Sequence, residues 1–487
     1  MAAARILAGP PTLTPTSGER YPRGVAELGM RRAVRYGWAP LVALAITTAL
    51  EAGERQSLSQ AVDGIQARFG VTDAAVGLLP FAMAIVGAVG AIPMGALADR
   101  VRRTGLLAAA TAVWTLCMGL NGLATSYWTL FVSRMGIGAV EANGPATVSL
   151  ISDYYPVIDR ARMMGLYQSG ALVGALVGLV GGGIAVSTGG WRWAFFMWIP
   201  LGLAGVWYIA RQPEPARGDQ DADFEADLAL AQPGGADVAD LVNLAGLLPE
   251  PRRQATVDYR NCSPRELARE LLRIPSMWFG VLALTISQLL LNGLQFWGVP
   301  YFKRVHHMSP AGAGAVTGLL GLGAIVGILG GGVLADRLLR RGVLCARVYV
   351  VAFGSIAATA VLMPAFASTN LALTAPLLFT GGALLTLPVA PAEALVSDVV
   401  VADLRGRASA VRSVVRALSA GGAPLIGLIS QAIGLRLALV AFSPIYALGG
   451  LVMLAAVRHY PHDIAFVLAE SRRRRTTGAT GEVAGGG

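Results

Sequence analysis

Charge is scarce in this chain of 487 residues, with only 14% of positions being Asp, Glu, Lys or Arg. A soluble globular domain carries about 25%. With 54% hydrophobic residues and a mean hydropathy of +0.58, most of the chain must be solvated by lipid rather than water. Lysine occurs once, at Lys303, and no glycine-rich loop precedes it, so no phosphate-binding P-loop is present and the chain is not an ATP-driven pump by itself. Cysteine occurs three times (Cys117, Cys262, Cys345), far apart and never as C-x-x-C, which argues against a disulfide framework or zinc site. The four histidines (His306, His307, His459, His462) fall in or near predicted loops, so no metal and no cofactor is expected. No nucleophile–base constellation is evident either, and an enzyme is not expected. No cleavable signal peptide is evident. Residues 1–35 hold Pro10, Pro11, Pro15 and Pro22 among Thr, Ser and Gly, and read as a disordered cytoplasmic tail.

What charge there is has a pattern. The net charge is +10, but the arginines do not form a patch on a polar domain, which excludes nucleic-acid binding. They recur in short clusters between apolar runs. A span of roughly 30 Å of hydrocarbon needs about 20 apolar residues. Such runs fall near 37–60, 75–97, 104–124, 128–152, 163–187, 193–210, 277–301, 311–334, 343–366, 371–397, 408–432 and 436–457. Arg31, Arg32 and Arg35 precede the first run, and Arg100, Arg102 and Arg103 follow the second. Arg160 and Arg162 follow the fourth, and Arg472 to Arg475 lie in the tail 461–487. The loops 122–128 and 366–371 carry no charge. The excess of arginine on one side puts both termini in the cytoplasm. The alanine- and arginine-rich usage fits a GC-rich bacterial genome and a cytoplasmic membrane. The expected fold is an all-α membrane protein of twelve transmembrane helices in two six-helix bundles, 36–211 and 276–460. The stretch 212–275 reads as a cytoplasmic linker, with an acidic cluster from Asp219 to Asp227. Ser263-Pro264-Arg265-Glu266 announces a short amphipathic helix at its end.

The two halves repeat each other. Gly95-Ala-Leu-Ala-Asp99-Arg100-Val-Arg-Arg103 follows the second span, and Gly332-Val-Leu-Ala-Asp336-Arg337-Leu-Leu-Arg340-Arg341 follows the eighth. Pro145-Ala146, Ser152-Asp153 and Arg160-Ala-Arg162 answer Pro391-Ala392, Ser397-Asp398 and Arg405-Gly-Arg407. Repeated bundles are a transporter architecture, with the substrate site at their interface near the midplane. The Gly-x-x-x-Asp-Arg-x-x-Arg-Arg pattern resembles the signature of the major facilitator superfamily, over roughly residues 36 to 460. The second copy matches throughout and the first departs at Thr104. The resemblance implies a cytoplasmic gate built from Gly95, Asp99, Arg100, Arg103, Asp336, Arg337 and Arg340. Asp153, Arg160 and Arg405 are its candidate partners.

Ionisable residues inside spans are expensive and point to function. The first span holds Glu51, Glu54 and Arg55, the fourth Arg134 and Glu141, the tenth Glu393, the eleventh Arg412 and Arg416. A rise of about 1.5 Å per residue puts Glu51 level with Glu141 and Glu54–Arg55 close to Arg134. Burial favours a neutral carboxyl and an arginine partner holds it ionised, so a switch of partner couples protonation to conformation. Arg134-Met-Gly-Ile-Gly-Ala-Val-Glu141-Ala followed by Leu-Ile-Ser-Asp153-Tyr-Tyr-Pro156 is similar to the fourth span of the Spinster group. Leu272-Arg-Ile-Pro275 leading to Phe296-Trp297-x-Pro-x-Phe302-x-Arg304-Val305-His306 is similar too. Glu54-Arg55 falls at that group's Asp-Arg pair, Glu51 where an Asn is expected, and Arg416 where a histidine is frequent. The resemblance implies Glu51, Glu54, Arg55, Arg134 and Glu141 as a proton-coupling set. It also implies a lysophospholipid or related amphiphilic anion as substrate.

Gln288, Asn292 and Gln295 share one face of the seventh span, which lipid would penalise, so this face is expected to line a substrate cavity. Tyr167, Gln168, Glu393 and Arg416 are candidates to complete it, arginine being suited to phosphate or carboxylate. The expected protein is a monomeric proton-coupled secondary transporter whose partners are its substrate, protons and the bilayer. A drug–proton antiporter is a rival, but span five runs Gly170, Gly174, Gly178, Gly183 with no proline, where that class carries a Gly-Pro pair. A small organic-anion symporter is a second rival, and a non-transporting membrane receptor or scaffold a third.

Overall fold

Apolar runs bounded by proline, glycine and capping residues become helices along the whole chain. The computed structural model describes residues 36–98, 100–141, 144–155, 157–217, 264–400 and 415–470, with Ala408 and Arg412. In the first half, α1 is Ala39–Phe69, α2 Asp73–Ala98 and α3 Arg103–Gly122. Then come α4 Tyr127–Glu141, α5 Gly144–Tyr154 and α6 Val157–Leu176. A π-helical turn, Val177–Gly181, joins α6 to α7, Gly182–Gly189. The half closes with α8 Trp193–Phe196 and α9 Trp198–Ala210. The expected amphipathic helix follows as α10, Pro264–Leu272. The second half comprises α11 Pro275–Val305, α12 Pro310–Arg340, α13 Ala346–Ala367, α14 Leu371–Thr386 and α15 Val389–Asp398. It ends with α16 Gly422–Ile433, α17 Leu435–Phe442, α18 Pro444–Leu454 and α19, 460–470.

Local chemistry sets the ends. Gly70 closes α1 in the left-handed region at φ 64°, where a side chain would be strained. Ser309 accepts from the Gly312 amide at the start of α12, with Pro310 in the first turn, and Asn370 caps α14 through the Ala372 amide.

Among the described residues, nine helical segments are long and apolar enough to cross a membrane. The expected first, fourth and eleventh spans are not among them. In α1 the charges Glu51, Glu54, Arg55 and Asp63 interrupt the apolar run. The fourth is described in two pieces on either side of residues 142–143, and the eleventh from residue 415 onward, with Ala408 and Arg412 before it.

Within the first half, α6 lies directly on α1. Gly170, Gly174 and Gly178 make this approach possible, since a Cβ at Gly174 would overlap the Ala49 carbonyl. Between the halves, packing is unequal along the helix axes. One apolar core contains residues of both halves, Leu58, Val76 and Leu79 alongside Leu294, Trp297 and Ile426. Two others each belong to a single half, around Leu44, Leu107 and Tyr155, and around Met277, Val351 and Tyr460. Among the described residues the halves are therefore fused at one end and separate at the other.

The fused end is also where polar contacts cross. Arg304 donates to Asp63 (2.9 Å), to both oxygens of Asp73 (2.9 and 3.1 Å) and to Gln66 (2.5 Å), reaching from α11 to α1 and α2. Lys303 pairs with Asp63 at 2.5 Å, Ser430 donates to Asp73 at 2.7 Å, and Ser59 donates to the Phe296 carbonyl at 2.6 Å. At the separate end Arg100, Arg102, Asp336, Arg337 and Arg340 are exposed.

Candidate functional site

Between the halves lies a cavity of about 390 Å³. The first half lines it with Glu54, Arg55, Arg134 and Glu141, the second with Asn292, Gln295, Arg416 and Ser419. Leu58, Met83, Phe296 and Ala420 supply apolar wall. Charges that no lipid-facing helix could carry thus collect where two bundles meet, as intramembrane ionisable groups do.

The two helices α1 and α4 exchange their charges. Arg134 pairs with Glu54, and both side chains are fully buried. Arg55 Nη2 lies 2.6 Å from Glu141 Oε2, with Arg55 half-exposed to the cavity. The acid of each helix thus meets the arginine of the other. These pairs leave Glu54 Oε2, Glu141 Oε1, and Arg134 Nε and Nη2 buried without a hydrogen-bond partner. The Arg134 guanidinium also rests 5.4 Å from the centre of the Phe195 ring.

On the opposite wall Asn292 Nδ2 donates to Ser419 Oγ at 3.0 Å. Arg416 Nη1 and Nη2 both donate to Glu393 Oε1 at 3.0 Å, while Arg412 Nη1 lies 2.7 Å from Glu393 Oε2.

Not every candidate residue joins this cavity. Glu51 borders a separate, small crevice with Glu141, Thr111 and Trp114. Tyr167 sits beside Thr48 and Glu51, and Gln168 is exposed on α6. Gln288 is half-buried below Asn292, and Glu393 lies behind Arg416 rather than on the wall. A face shared by i, i+4 and i+7 spans more height than the cavity does, so only Asn292 and Gln295 of the three reach it.

At the separate end the repeat residues divide. Arg103 is buried and pairs with Asp153, donating also to Ser149 (2.7 Å), Glu214 (3.0 Å) and the Pro215 carbonyl (3.1 Å). Glu214 in turn accepts from the Thr104 amide (2.9 Å) and hydroxyl (2.8 Å), and Tyr154 donates to the Pro213 carbonyl at 2.5 Å. Burial opposes the Glu214 charge, but the Thr104 donors and Arg103 outweigh it and hold the carboxyl below its usual range. Arg160 donates to the Ser152 and Tyr155 carbonyls. Gly95 is half-buried; Asp99 and Arg405 lie outside the described residues.

In the second half Asp336, Arg337 and Arg340 form no ion pair among the described residues. Asp398 instead pairs with Arg347 and accepts from Tyr460 at 2.7 Å. Arg347 stands 51 residues before Asp398 and Arg103 stands 50 before Asp153, each at the start of the third span of its half, so the two pairs hold like places in the two halves although the Asp-Arg motif aligns Arg103 with Arg340. Each is completed by the segment after its half's last span, the linker root at Glu214 or α19 at Tyr460. Sequence reading missed Arg347, Glu214 and Tyr460. The near-equal spacing to the aspartate, 51 against 50, is the signal that would have found Arg347.

Comparison with known proteins agrees with this architecture. The family model of the Major Facilitator Superfamily matches residues 44–424. A probable L-galactonate transporter of Escherichia coli (strain K12) is 26% identical over 162 residues, 32% of this chain and 35% of that one. Protein spinster of Drosophila melanogaster is 24% identical over 195 residues, 40% of this chain and 32% of that one. The chain thus aligns with about a third of the length of these curated relatives. A solved bacterial homolog of the human lysosomal transporter Spinster, inward-facing and unoccupied, shares the fold. It has a TM-score of 0.70 at 20% identity and covers 88% of this chain and 98% of that one.

Proposed function

Because the chain belongs to the Major Facilitator Superfamily, we propose that it is a proton-coupled secondary transporter working by alternating access, with a lysophospholipid or related amphiphilic anion as substrate. The observation that carries this reading is the crossed pairing of Glu54 with Arg134 and Arg55 with Glu141 on the cavity wall. A buried ion pair kept for stability should satisfy its donors and acceptors, because desolvation otherwise exceeds the Coulombic gain. Here two carboxylate oxygens and two guanidinium nitrogens stay without partners. Such a cluster is poor as structural glue and well suited to changing partners. Protonation of Glu141 releases Arg55, and protonation of Glu54 releases Arg134, so proton uptake loosens α1 from α4 at the height of the substrate. Glu51, beside the same helix pair, is the third carboxyl of the set.

The unequal packing supports the conformational half of the proposal. Twelve spans form two six-helix bundles that rock about the cavity. With both termini in the cytoplasm, the fused end is extracytoplasmic and the separate end cytoplasmic, so this conformation faces inward. Arg103–Asp153 and Arg347–Asp398 then brace the cytoplasmic rims, and the Asp99, Arg100, Asp336 and Arg337 motif closes them in the outward-facing state. The membrane is the bacterial cytoplasmic membrane, and the protein acts as a monomer without cofactor or nucleic acid.

A second reading has its own support. A cavity of about 390 Å³ holds a small polyhydroxy acid entirely, and amides with serine on one wall suit its hydroxyls. The Escherichia coli relative is named for L-galactonate. Proteoliposome uptake separates the two, using labelled lysophosphatidylglycerol and labelled galactonate under an imposed proton gradient. The expected result is gradient-driven flux of one of them, lost in Glu141→Gln while gradient-independent exchange persists. Undiminished gradient-driven flux in Glu141→Gln removes Glu141 from the mechanism.

A further inference from the structure

The second-half wall holds an arginine in an unusual electrostatic position. Arg416 lines the cavity with 41% of its side chain exposed. An arginine and a carboxylate at their best form two parallel bonds, one to each oxygen. Glu393 does not give Arg416 that arrangement. Both Nη atoms of Arg416 converge on Oε1, because Oε2 is taken by Arg412 at 2.7 Å. One carboxylate is shared between two guanidinium groups. The carboxylates on the facing wall are engaged with Arg134 and Arg55, so neither is paired with Arg416.

We propose that Arg416, held from behind by Glu393, is the specificity-determining anion ligand of the cavity, selecting substrates with an oxyanionic head, carboxylate or phosphate. The proposal rests on the transport reading above and names the chemistry that site selects. An incoming oxyanion supplies the second oxygen that Glu393 withholds. Glu393 fixes the guanidinium plane and also competes with the ligand for its protons. The neighbours fit a head that carries hydroxyls as well as charge. Asn292 spends one amide N–H on Ser419 and keeps its carbonyl as an acceptor, and Gln295 is exposed on the next turn of α11. Phe296, Leu58 and Met83 provide the apolar contact for whatever the head is attached to. The division of labour is then spatial. The α1–α4 wall carries the paired acids, and the wall formed by α11 and the helix through Arg416 reads the anion.

The test measures equilibrium binding to the purified full-length protein in nanodiscs, using 1-oleoyl-lysophosphatidylglycerol, galactonate and uncharged monoolein as probes. At least one of the two anions binds the wild type, and its affinity falls as ionic strength rises. Loss of a charge-assisted interaction predicts about a 10- to 100-fold weaker anion in Arg416→Gln. Arg416→Lys restores part of the loss, and Glu393→Gln binds the anion more tightly than wild type because the competing carboxylate is gone. Which anion responds tells a lipid head from a small acid. The proposal is overturned if neither anion binds the wild type, if Arg416→Gln binds the anion as the wild type does, or if monoolein loses affinity in parallel. Proton-driven flux in Glu141→Gln is read alongside. Flux lost there with anion affinity unchanged in Arg416→Gln leaves the transport reading standing and removes this one. Weakened anion binding with no coupled flux in the wild type does the reverse.

Discussion

Arg304 carries four of the hydrogen bonds that join the halves at the fused end. It extends from the end of α11 to three side chains on α1 and α2. Truncation to alanine leaves Asp63 with Lys303 and Asp73 with Ser430 and Gln66, so neither acid is stranded. The cost follows from exposure. Arg304 is 29% exposed and its partners Asp63 and Asp73 are 33% and 13% exposed. An exposed ion pair contributes about 0–1 kcal/mol and removing one partner of a buried one costs about 3–5 kcal/mol, so this intermediate site should lose about 2 kcal/mol. On the proposed alternating-access cycle these contacts break when this end opens, so the loss acts on the facing equilibrium rather than on the fold. About 2 kcal/mol shifts that equilibrium about 30-fold toward the state open at this end. Spin labels at Ser126→Cys and Asn370→Cys, in a background with Cys117, Cys262 and Cys345 replaced by serine, report the separation of the halves. Arg304→Ala should populate a longer distance that the parent lacks, without lowering the melting temperature by more than a few degrees. An unchanged distance distribution, or collapse of the fold, would refute the reasoning.

Two further outcomes test the framework on which the site rests. Glu214→Gln should lower stability by about 1–2 kcal/mol at neutral pH, since it removes a charge-assisted bond to Arg103 while keeping an acceptor for Thr104. The Glu214 carboxyl is held below its usual range in the folded protein, so its contribution is complete above the ordinary carboxylate value and fades as pH falls through the depressed one. Thermal unfolding of variant and parent should accordingly converge on acidification, and a constant difference would count against the assignment. Gly174→Leu should cost about 3 kcal/mol, the upper end of overpacking, because its side chain meets the Ala49 backbone. Gly165→Ala, with open space around the added methyl, should melt like the parent when both variants are followed by thermal unfolding.

Much of the architecture was legible because lipid leaves few options. A helix must satisfy its own backbone in hydrocarbon, so run length and loop charge translate almost directly into helices, and the observed segments fall where the apolar runs do. The cavity wall on α1 and α4 was legible for a related reason. Charge in a span is too costly to be incidental, and helical rise alone set Glu54 near Arg134. The pairing of Arg55 with Glu141 was not legible, because height along a helix carries no information about rotation. Nor does the shared face of Gln288, Asn292 and Gln295 reveal how tall the cavity is. Arg347 and Tyr460 escaped notice because neither is unusual as a residue. Arg347 sits at the start of a helix among ordinary loop arginines, and only its offset from Asp398 marks it.

The repeat and the cavity speak to different properties of the molecule. At the rims the halves retain the same solution, an arginine at the start of α3 or α13 locked onto an aspartate that ends the following span. Duplicated chemistry is appropriate there, since both bundles face the same mechanical problem of joining helix ends to a moving partner. In the cavity the charges are not duplicated. Counted back from Asp398 as Arg134 and Glu141 are from Asp153, the matching positions of the tenth span hold Phe379 and Thr386, neither of them charged. On the proposed reading, unequal walls let one half change charge state while the other keeps a fixed guanidinium for the substrate. The residues that depart from the repeat are for that reason the better guide to what is carried, and those that obey it the better guide to how the halves move.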